Sequence, residues 1–532
     1  MKTPLATPSP SVTPPVGASQ VHSLRAPAAK DLKRGAIRGG AITVGSQGAK
    51  FLIQTLATVI LARLLTPEDY GDVAMVSALL GFVTLFKDLG LSTATIQRDE
   101  ISQEQVSGMF WINVATGIAM MLLIAAAAPL VAWFYGKPEL RNICLGFALI
   151  APLSSIGAQH AALLQRQMKF MSMAIRDIGG LAAGLIASIL AAYAGWGYWA
   201  LVIQQGAAAA VGTALLWWQS GWRPSRPARV KNLGSMVRFG GKLTLSNIFT
   251  YISGSLDSIL LGHFFGSAAV GTYNRAQMIL AKPLKQFLPP IVSVATPTFS
   301  RLKSDAARFE RNALTLTGLV AVGSCLMVGV FMPTADWVVH LMLGGQWQEA
   351  VAIFRVLALF AFVEPIASVL SVLMIVSGKP GKLAKWKFFS TGIIVAGLAA
   401  GVPYGPVGVA TTFAVSGLVV RAPLFIWYAG RNCGIRPTKL FVTVGPFVTF
   451  GALIAFAGIK ARAIWSPENP VIGIIAYGLG GTLLYGALVL ATRSGRSLIV
   501  KAKDLASTLR PGSGRPSNPR PADAETASEV AS

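Results

Sequence analysis

Acidic residues are scarce: 21 Asp and Glu stand against 46 Lys and Arg in 532 residues, and charged residues of both signs make up only 13% of the chain. A soluble domain carries roughly a quarter charged residues, so water is excluded as the main solvent of this one. Cysteine is nearly absent, at three. Cys144 and Cys325 fall in apolar segments and Cys433 in a basic stretch, which leaves no even set for a disulfide framework and reads as three reduced packing residues. The four histidines, His22, His160, His263 and His340, are scattered without metal-ligand spacing, and His263 and His340 are expected as interfacial anchors. Neither GxxxxGK[ST] nor HExxH occurs, which argues against ATP hydrolysis by the chain itself.

What is plentiful is apolar length. The chain is 53% hydrophobic with a mean hydropathy of +0.59, and at about 20 residues per crossing it could hold on the order of fourteen transmembrane helices. Apolar runs place them near 40–64, 70–92, 109–134, 143–165, 176–194 and 197–218, then 240–262, 276–299, 313–343, 352–377, 386–402 and 406–429, and finally 440–459 and 470–491. The net charge of +25 would point to nucleic acid in a soluble protein, but here the cations cluster between apolar runs and nucleic acid is not an expected partner. One set of connections holds Lys30 to Arg38, Arg98, Arg166 to Arg176, Arg223 to Lys242, Arg301 to Arg311, Lys379 to Lys387 and Arg431 to Lys439. The alternate set holds only Arg63, Lys137 with Arg141, Arg275, and Lys460 with Arg462. Because Lys and Arg accumulate in cytoplasmic loops, both termini are expected inside. Pro-rich residues 1–35, with no apolar signal segment, and the basic stretch 493–532 read as disordered tails, the part near Lys501 being a weaker candidate for the anionic membrane surface.

The chain also matches itself. LARLLTPEDYG (Leu61 to Gly71) aligns with LGHFFGSAAVG (Leu261 to Gly271) at an offset of 200, and Ser46 and Gln47 fall against Ser246 and Asn247. The expected fold is therefore an all-α integral membrane protein with two six-helix lobes in a parallel repeat, 36–222 and 240–430, joined by a basic linker 223–239 and followed by two further helices within 431–492.

Polar residues at bilayer depth are costly unless they face a bundle interior or a wet cavity. The first helix carries Thr43, Ser46, Gln47, Lys50, Gln54 and Thr58 along one face, and the seventh carries Ser246, Asn247, Thr250, Ser253 and Asp257. The eighth adds Arg275, Lys282, Lys285 and Gln286, a cationic stripe suited to an anionic group, although Arg275 could equally snorkel to headgroups. Substrate-binding candidates are thus Gln47, Lys50, Gln54, Asn247, Asp257, Arg275, Lys282 and Lys285. Asp257 and Glu364 are candidates for coupling to protons or sodium, with an ion pair to Lys50 or Arg421 as the structural alternative; no other cofactor is expected. Lys87, Asp88, Asp336, Arg355 and Arg421 are further charges inside apolar runs. Trp133, Tyr135, Trp196, Tyr198, Trp199, Trp217, Trp218, Trp222, Trp337 and Trp347 gather near helix ends as interfacial belts do, and Gly180 with Gly184 reads as a close-packing pair.

The stretches Leu61 to Asp99, FWINVATG (Phe110 to Gly117), ALLQRQMKF (Ala162 to Phe170) and LDSILLGHFFGSAAVGTYNRA (Leu256 to Ala276) resemble the polysaccharide transport family of Wzx-like oligosaccharide flippases, over about residues 35 to 490. The resemblance implies the fold of the multidrug, oligosaccharidyl-lipid and polysaccharide exporter superfamily. It also implies movement of undecaprenyl-pyrophosphate-linked oligosaccharide repeat units across the bacterial inner membrane by alternating access, alongside a polysaccharide polymerase and export machinery. The alternatives are a drug or ion antiporter of the same superfamily, whose cavity should be acidic, and a membrane polymerase or ligase, which would need a long outer catalytic loop that the sequence does not provide. A non-enzymatic transporter is the expectation.

Overall fold

The structure is a computed structural model that describes residues 29–84, 91–97, 101–226, 251, 254–280, 299–300, 302 and 305–509. Among these residues it is helical and contains no strand. That is what a bilayer demands, because a helix satisfies its backbone N–H and C=O groups internally where no water can.

The first half comprises α1 (Ala29–Leu64), α2 (Pro67–Thr84), α3 (Leu91–Gln97), α4 (Gln103–Tyr135), α5 (Leu140–Arg166), α6 (Phe170–Tyr193) and α7 (Trp199–Ser220). The helical stretch 254–280, α8, turns at Gly266, whose φ of 78° needs a residue without a Cβ. Then come α9 (Ala306–Phe331), α10 (Ala335–Leu343), α11 (Gln348–Ala361), α12 (Glu364–Val376), α13 (Pro380–Gly401), α14 (Gly405–Val415), α15 (Ala422–Cys433), α16 (Pro437–Ile464), α17 (Pro470–Ala491) and α18 (Arg493–Leu509).

Local sequence explains the helix starts. Asp69 Oδ2 accepts the Thr66 N–H at 2.9 Å and Thr66 Oγ1 accepts the Asp69 N–H at 3.2 Å, a reciprocal cap for two donors that a helix start otherwise orphans. Pro67, at the first position of α2, gives up an N–H that would have had no helical partner. Ser102 and Gln105 make the same box at α4, and such caps are worth about 1 kcal/mol each.

Nine helical runs among the described residues are long and apolar enough to cross a membrane. α1 is not among them because Gln47, Lys50 and Gln54 dilute its apolar content, and α2 is not because Glu68, Asp69 and Asp72 crowd its 18 residues. Pro380–Cys433 is one run of 54 residues that holds the two crossings expected at 386–402 and 406–429. A 3-10 turn at Val402–Tyr404 and Gly405, with φ 77°, divide them.

Four expectations change. The ninth crossing, read as 313–343, ends at Phe331 and restarts at Ala335 around Pro333, which can neither donate nor sit against the preceding turn. The tenth divides between Ala361 and Glu364, ahead of Pro365. The stretch after Arg493, expected to be disordered, is helical to Leu509: Leu498 is buried, within reach of Gly318, and Gly495 permits the tight turn out of α17, where a Cβ would fall 1.9 Å from the Val489 carbonyl oxygen. Composition alone hid the apolar face of that helix among Ser, Gly and basic residues. At the other end the helix begins at Ala29, inside the expected tail; residues 1–28, 227–250 and 510–532 lie outside the described residues.

Two compact units emerge from the chain's contacts: Met1–Met278 with Val338–Phe354 and Thr391–Phe413, and Ile279–Trp337 with Arg355–Ser390 and Ala414–Ser532. In the first, α4 packs on α5, α6 on α7, α5 on α7 and α1 along α6. Gly180 and Gly184 let α6 and α7 touch backbones, for a Cβ there would lie 2.9 Å from the Ala208 carbonyl oxygen and 2.6 Å from that of Gln204. Leu91, Val106, Met109, Phe110, Leu163 and Trp222 form a core cluster, and His160 stacks on Trp217 at 4.4 Å beside it. Trp133, Trp196 and Trp218 are exposed, whereas Trp222, Trp337 and Trp347 are buried. In the second unit α9 packs on α16, α17 and α18, and α12 on α15.

Candidate functional site

Helix α1 presents its polar residues unevenly. Gln47 and Gln54 are exposed, while Lys50 is half-buried against α6 and its Nζ lies 2.9 Å from Asp177 Oδ2. Arg176 Nη1 is 3.4 Å from the other oxygen of the same carboxylate. Lys50, the cation of the polar face expected from spacing, is therefore paired. Asp177, on α6, is a functional candidate that sequence reading passed over because it sits beside Arg176 at a helix start.

The two arms of the offset-200 repeat meet inside the first unit. The Gly71 position lies against the Ser267 carbonyl, and Gly271 lies against the Pro67 carbonyl. Around this crossing, Lys137 Nζ donates to buried Asp72 Oδ1 at 2.9 Å and to Ser267 Oγ at 2.8 Å. The Arg275 guanidinium lies 3.9 Å over the Tyr70 ring and its Nη1 contacts Met278 Sδ at 3.3 Å. Arg275 is thus held by an aromatic face; its Nε has no partner among the described residues.

Asp257 lies deeper in α8. It is buried, accepts the Ser258 N–H at 2.8 Å and a long contact from Gln277 Nε2 at 3.5 Å, and Ser258 Oγ in turn meets Asn274 Oδ1 at 3.3 Å. Among the described residues no cation pairs with it. The ion pair to Lys50 that sequence allowed is not formed, since Lys50 binds Asp177. Asn274 and Gln277 complete a polar cluster that was not foreseen; their spacing from Asp257 crosses the Gly266 turn, which an unbroken helical wheel cannot show.

At the end of α1, Trp347 Nε1 donates to the Ala62 carbonyl at 2.8 Å and Gln346 Nε2 to those of Ala62 and Leu65 at 2.6 and 3.0 Å. A helix end leaves such carbonyls unpaired, and a segment nearly 300 residues distant caps them here. Arg63 Nη2 donates back to the Leu341 carbonyl at 3.0 Å, and Trp347 meets Tyr70 edge-on at 5.5 Å.

Glu364, in the second unit, is exposed in the first turn of α12, where the helix dipole favours a negative charge. Arg421 is buried with its guanidinium 4.8 Å over Phe360. Asp336 lies in α10, outside the spanning runs, and binds Arg462 by two contacts, Nη2 to Oδ2 at 2.7 Å and Nη1 to Oδ1, with Arg355 at 3.5 Å. Burial opposes its ionisation, but the Arg462 hydrogen bonds and the two positive charges outweigh that and hold its carboxyl below the ordinary range. Lys87, Asp88, Ser246, Asn247, Thr250, Ser253, Lys282, Lys285 and Gln286 lie outside the described residues. Among the described residues no cluster of His, Cys, Asp or Glu could hold a metal.

A groove of about 400 Å³ between α9, α16 and α17 is almost wholly apolar, lined by Gly329, Pro333, Ile454, Trp465, Tyr477 and Leu484 among others.

Many apolar crossings with polar and charged side chains held among them define an all-α integral membrane protein of a transporter fold. Solved structures agree with this. The lipid II flippase MurJ in an inward closed conformation superposes with a TM-score of 0.67 at 12% identity, over 87% of this chain and 100% of that one. An inward-facing multidrug resistance MATE family transporter of the MOP superfamily superposes with a TM-score of 0.56 at 15% identity, over 72% and 95%. The family model described as polysaccharide biosynthesis protein matches residues 60–352, and the chain belongs to that family. Its relatives include the succinoglycan biosynthesis transport protein ExoT of Rhizobium meliloti, 25% identical over 88% of this chain and 95% of the relative. The teichuronic acid biosynthesis protein TuaB of Bacillus subtilis is 26% identical over 63% and 70%, and the lipopolysaccharide biosynthesis protein WzxC of Escherichia coli 22% over 64% and 70%.

Proposed function

We propose that this chain is a flippase that moves undecaprenyl-pyrophosphate-linked oligosaccharide repeat units across the bacterial inner membrane by alternating access, for the synthesis of a surface polysaccharide. The observation that carries the reading is its relation, along nearly the whole length of both chains, to a transport protein of succinoglycan biosynthesis. In this reading two six-helix lobes, 36–222 and 240–430, rock about the substrate while both termini stay cytoplasmic. Polar and cationic residues of α1 and α8, Gln47, Lys50, Gln54, Asp257 and Arg275, receive the pyrophosphate and first sugars together with Asn247, Lys282 and Lys285. Charge-assisted hydrogen bonds from Lys and Arg suit a pyrophosphate because it keeps its charge through the transit. The apolar groove of the second unit offers a berth to a prenyl segment. Asp257, buried with no paired cation among the described residues, is the better placed of the two carboxylates to take up a proton or sodium ion; Glu364 is the second candidate. A polymerase and export machinery would consume the product on the far side.

The test is deletion and complementation. Deletion should make lipid-linked oligosaccharide accumulate on the inner leaflet, accessible only to inward probes, and the wild-type gene should clear it. Unchanged leaflet distribution on deletion would reject the flippase. If Lys50, Lys282 and Lys285 neutralised together left transport intact, the cationic path would be wrong while the flippase itself stood.

A further inference from the structure

We infer that α18 (Arg493–Leu509) is a membrane-surface helix whose basic face binds anionic phospholipid headgroups, with Leu498 anchoring it to the transmembrane bundle.

Position argues first. α17 has 22 residues, about 33 Å of helix, close to the roughly 30 Å thickness of a bilayer core. Ala491 therefore stands near one membrane surface, and α18 begins two residues later. The turn between them is tight and built: the Gly495 N–H meets Thr492 Oγ1 at 3.3 Å, and the Arg496 N–H bonds the Thr492 carbonyl at 3.1 Å. Leu498 then folds in beside Gly318 of α9 and is buried, so the helix does not hang free in water.

Patterning argues second. At 100° per residue, Leu498, Ile499 and Ala502 occupy one arc of the helix. Arg496 falls beyond one edge of that arc and Lys501 beyond the other, with Arg493 on the opposite side; the helix's sequence adds Lys503 and holds one acid, Asp504. The protein covers only part of the apolar arc, since Ile499 is 38% exposed, and Val500 is 62% exposed beside the basic edge. A helix of this make lies in the interface plane with its apolar side among acyl chains and its cations among headgroup phosphates. Four cations against one carboxylate at a bilayer surface complement anionic lipid, whose attraction is worth roughly 1 kcal/mol for each basic residue.

The experiment compares amide hydrogen exchange of 493–509 in the full-length protein, reconstituted in nanodiscs of phosphatidylcholine alone or mixed with phosphatidylglycerol. Exchange in the anionic discs should be slower by about tenfold or more. The difference should vanish in the variant carrying Arg493→Gln, Arg496→Gln, Lys501→Gln and Lys503→Gln, with α9 and α16 exchanging as in the wild type. In the unaltered protein it should also vanish in high salt, which screens surface charge without any mutation. Equal exchange in the two lipids overturns the inference, as does a lipid effect that survives salt or the four substitutions. Inorganic phosphate added to phosphatidylcholine discs should have no effect; protection by phosphate alone would mean an anion site instead of a lipid surface.

Discussion

Gly71 and Gly271 are each pressed onto the backbone of the residue four positions before the other. A Cβ on Gly71 would lie 1.7 Å from the Ser267 carbonyl oxygen, and one on Gly271 would lie 1.9 Å from that of Pro67. The same offset of 200 relates both glycines and both carbonyls, so the internal repeat read from sequence is realised as a reciprocal crossing of helix starts.

Gly71→Ala or Gly271→Ala should therefore lower stability by about 1–3 kcal/mol or more, because backbone cannot step aside as a side-chain tip can. The pair together should cost less than the sum, since one displacement of the crossing relieves both clashes. Thermal unfolding in detergent measures this, and single variants within about 0.5 kcal/mol of wild type would show that the crossing is loose.

Much of this fold is legible in the sequence, and the reasons differ by element. α4 to α7 and α16 to α17 are long apolar runs bounded by Gly, Pro or charge, so hydropathy alone locates them. Thr66-Pro67-Glu68-Asp69 announces a helix start by its chemistry. The break at Pro333 was visible as a residue but outweighed by the apolar run around it. The pairing of Lys50 with Asp177 was not legible, because nothing local to either residue names a partner 127 positions away. Nor was α18, whose apolar arc emerges only once the register is drawn as a helix.

The Lys50 to Asp177 pair invites a double-mutant cycle. Asp177→Asn leaves an unmatched cation in the bundle and should destabilise by about 1–2 kcal/mol, a figure reduced for its partial exposure from the roughly 2.5–3.5 kcal/mol of a charge at the bilayer centre. Adding Lys50→Met should recover most of that loss. If the two changes are simply additive in thermal unfolding, the contact is incidental.

Trp347→Phe keeps the ring near Tyr70 but removes the N–H that caps Ala62. A loss of about 1 kcal/mol is expected, as for one buried hydrogen bond. Gln346→Ala, which frees the Leu65 carbonyl and leaves that of Ala62 to Trp347 alone, should cost a similar amount, and the double variant, which frees both carbonyls, should fray the end of α1 in hydrogen exchange. Protection there equal to wild type would count against the cap.

Asp336 predicts an acid response. Its folded-state carboxyl titrates below the unfolded value, near 3.9; the stabilisation it gives is fully present above that value and is lost as pH falls through the lower folded one. Asp336→Asn should be less stable than wild type at neutral pH, and the gap between their unfolding midpoints should shrink below about pH 4. A constant gap from pH 7 to pH 3 would mean that the Arg462 contacts do not depend on the carboxylate charge.

Helix α1 is 36 residues long, about 54 Å at 1.5 Å per residue, against a bilayer core near 30 Å. Something over 20 Å of it must run outside the hydrocarbon or slant steeply through it. Lys30, Lys33, Arg34 and Arg38 all belong to its first three turns. By geometry alone, a tilt of α1 about a point near Lys50 would displace its first turns further than any residue beside that point, in proportion to their distance along the helix.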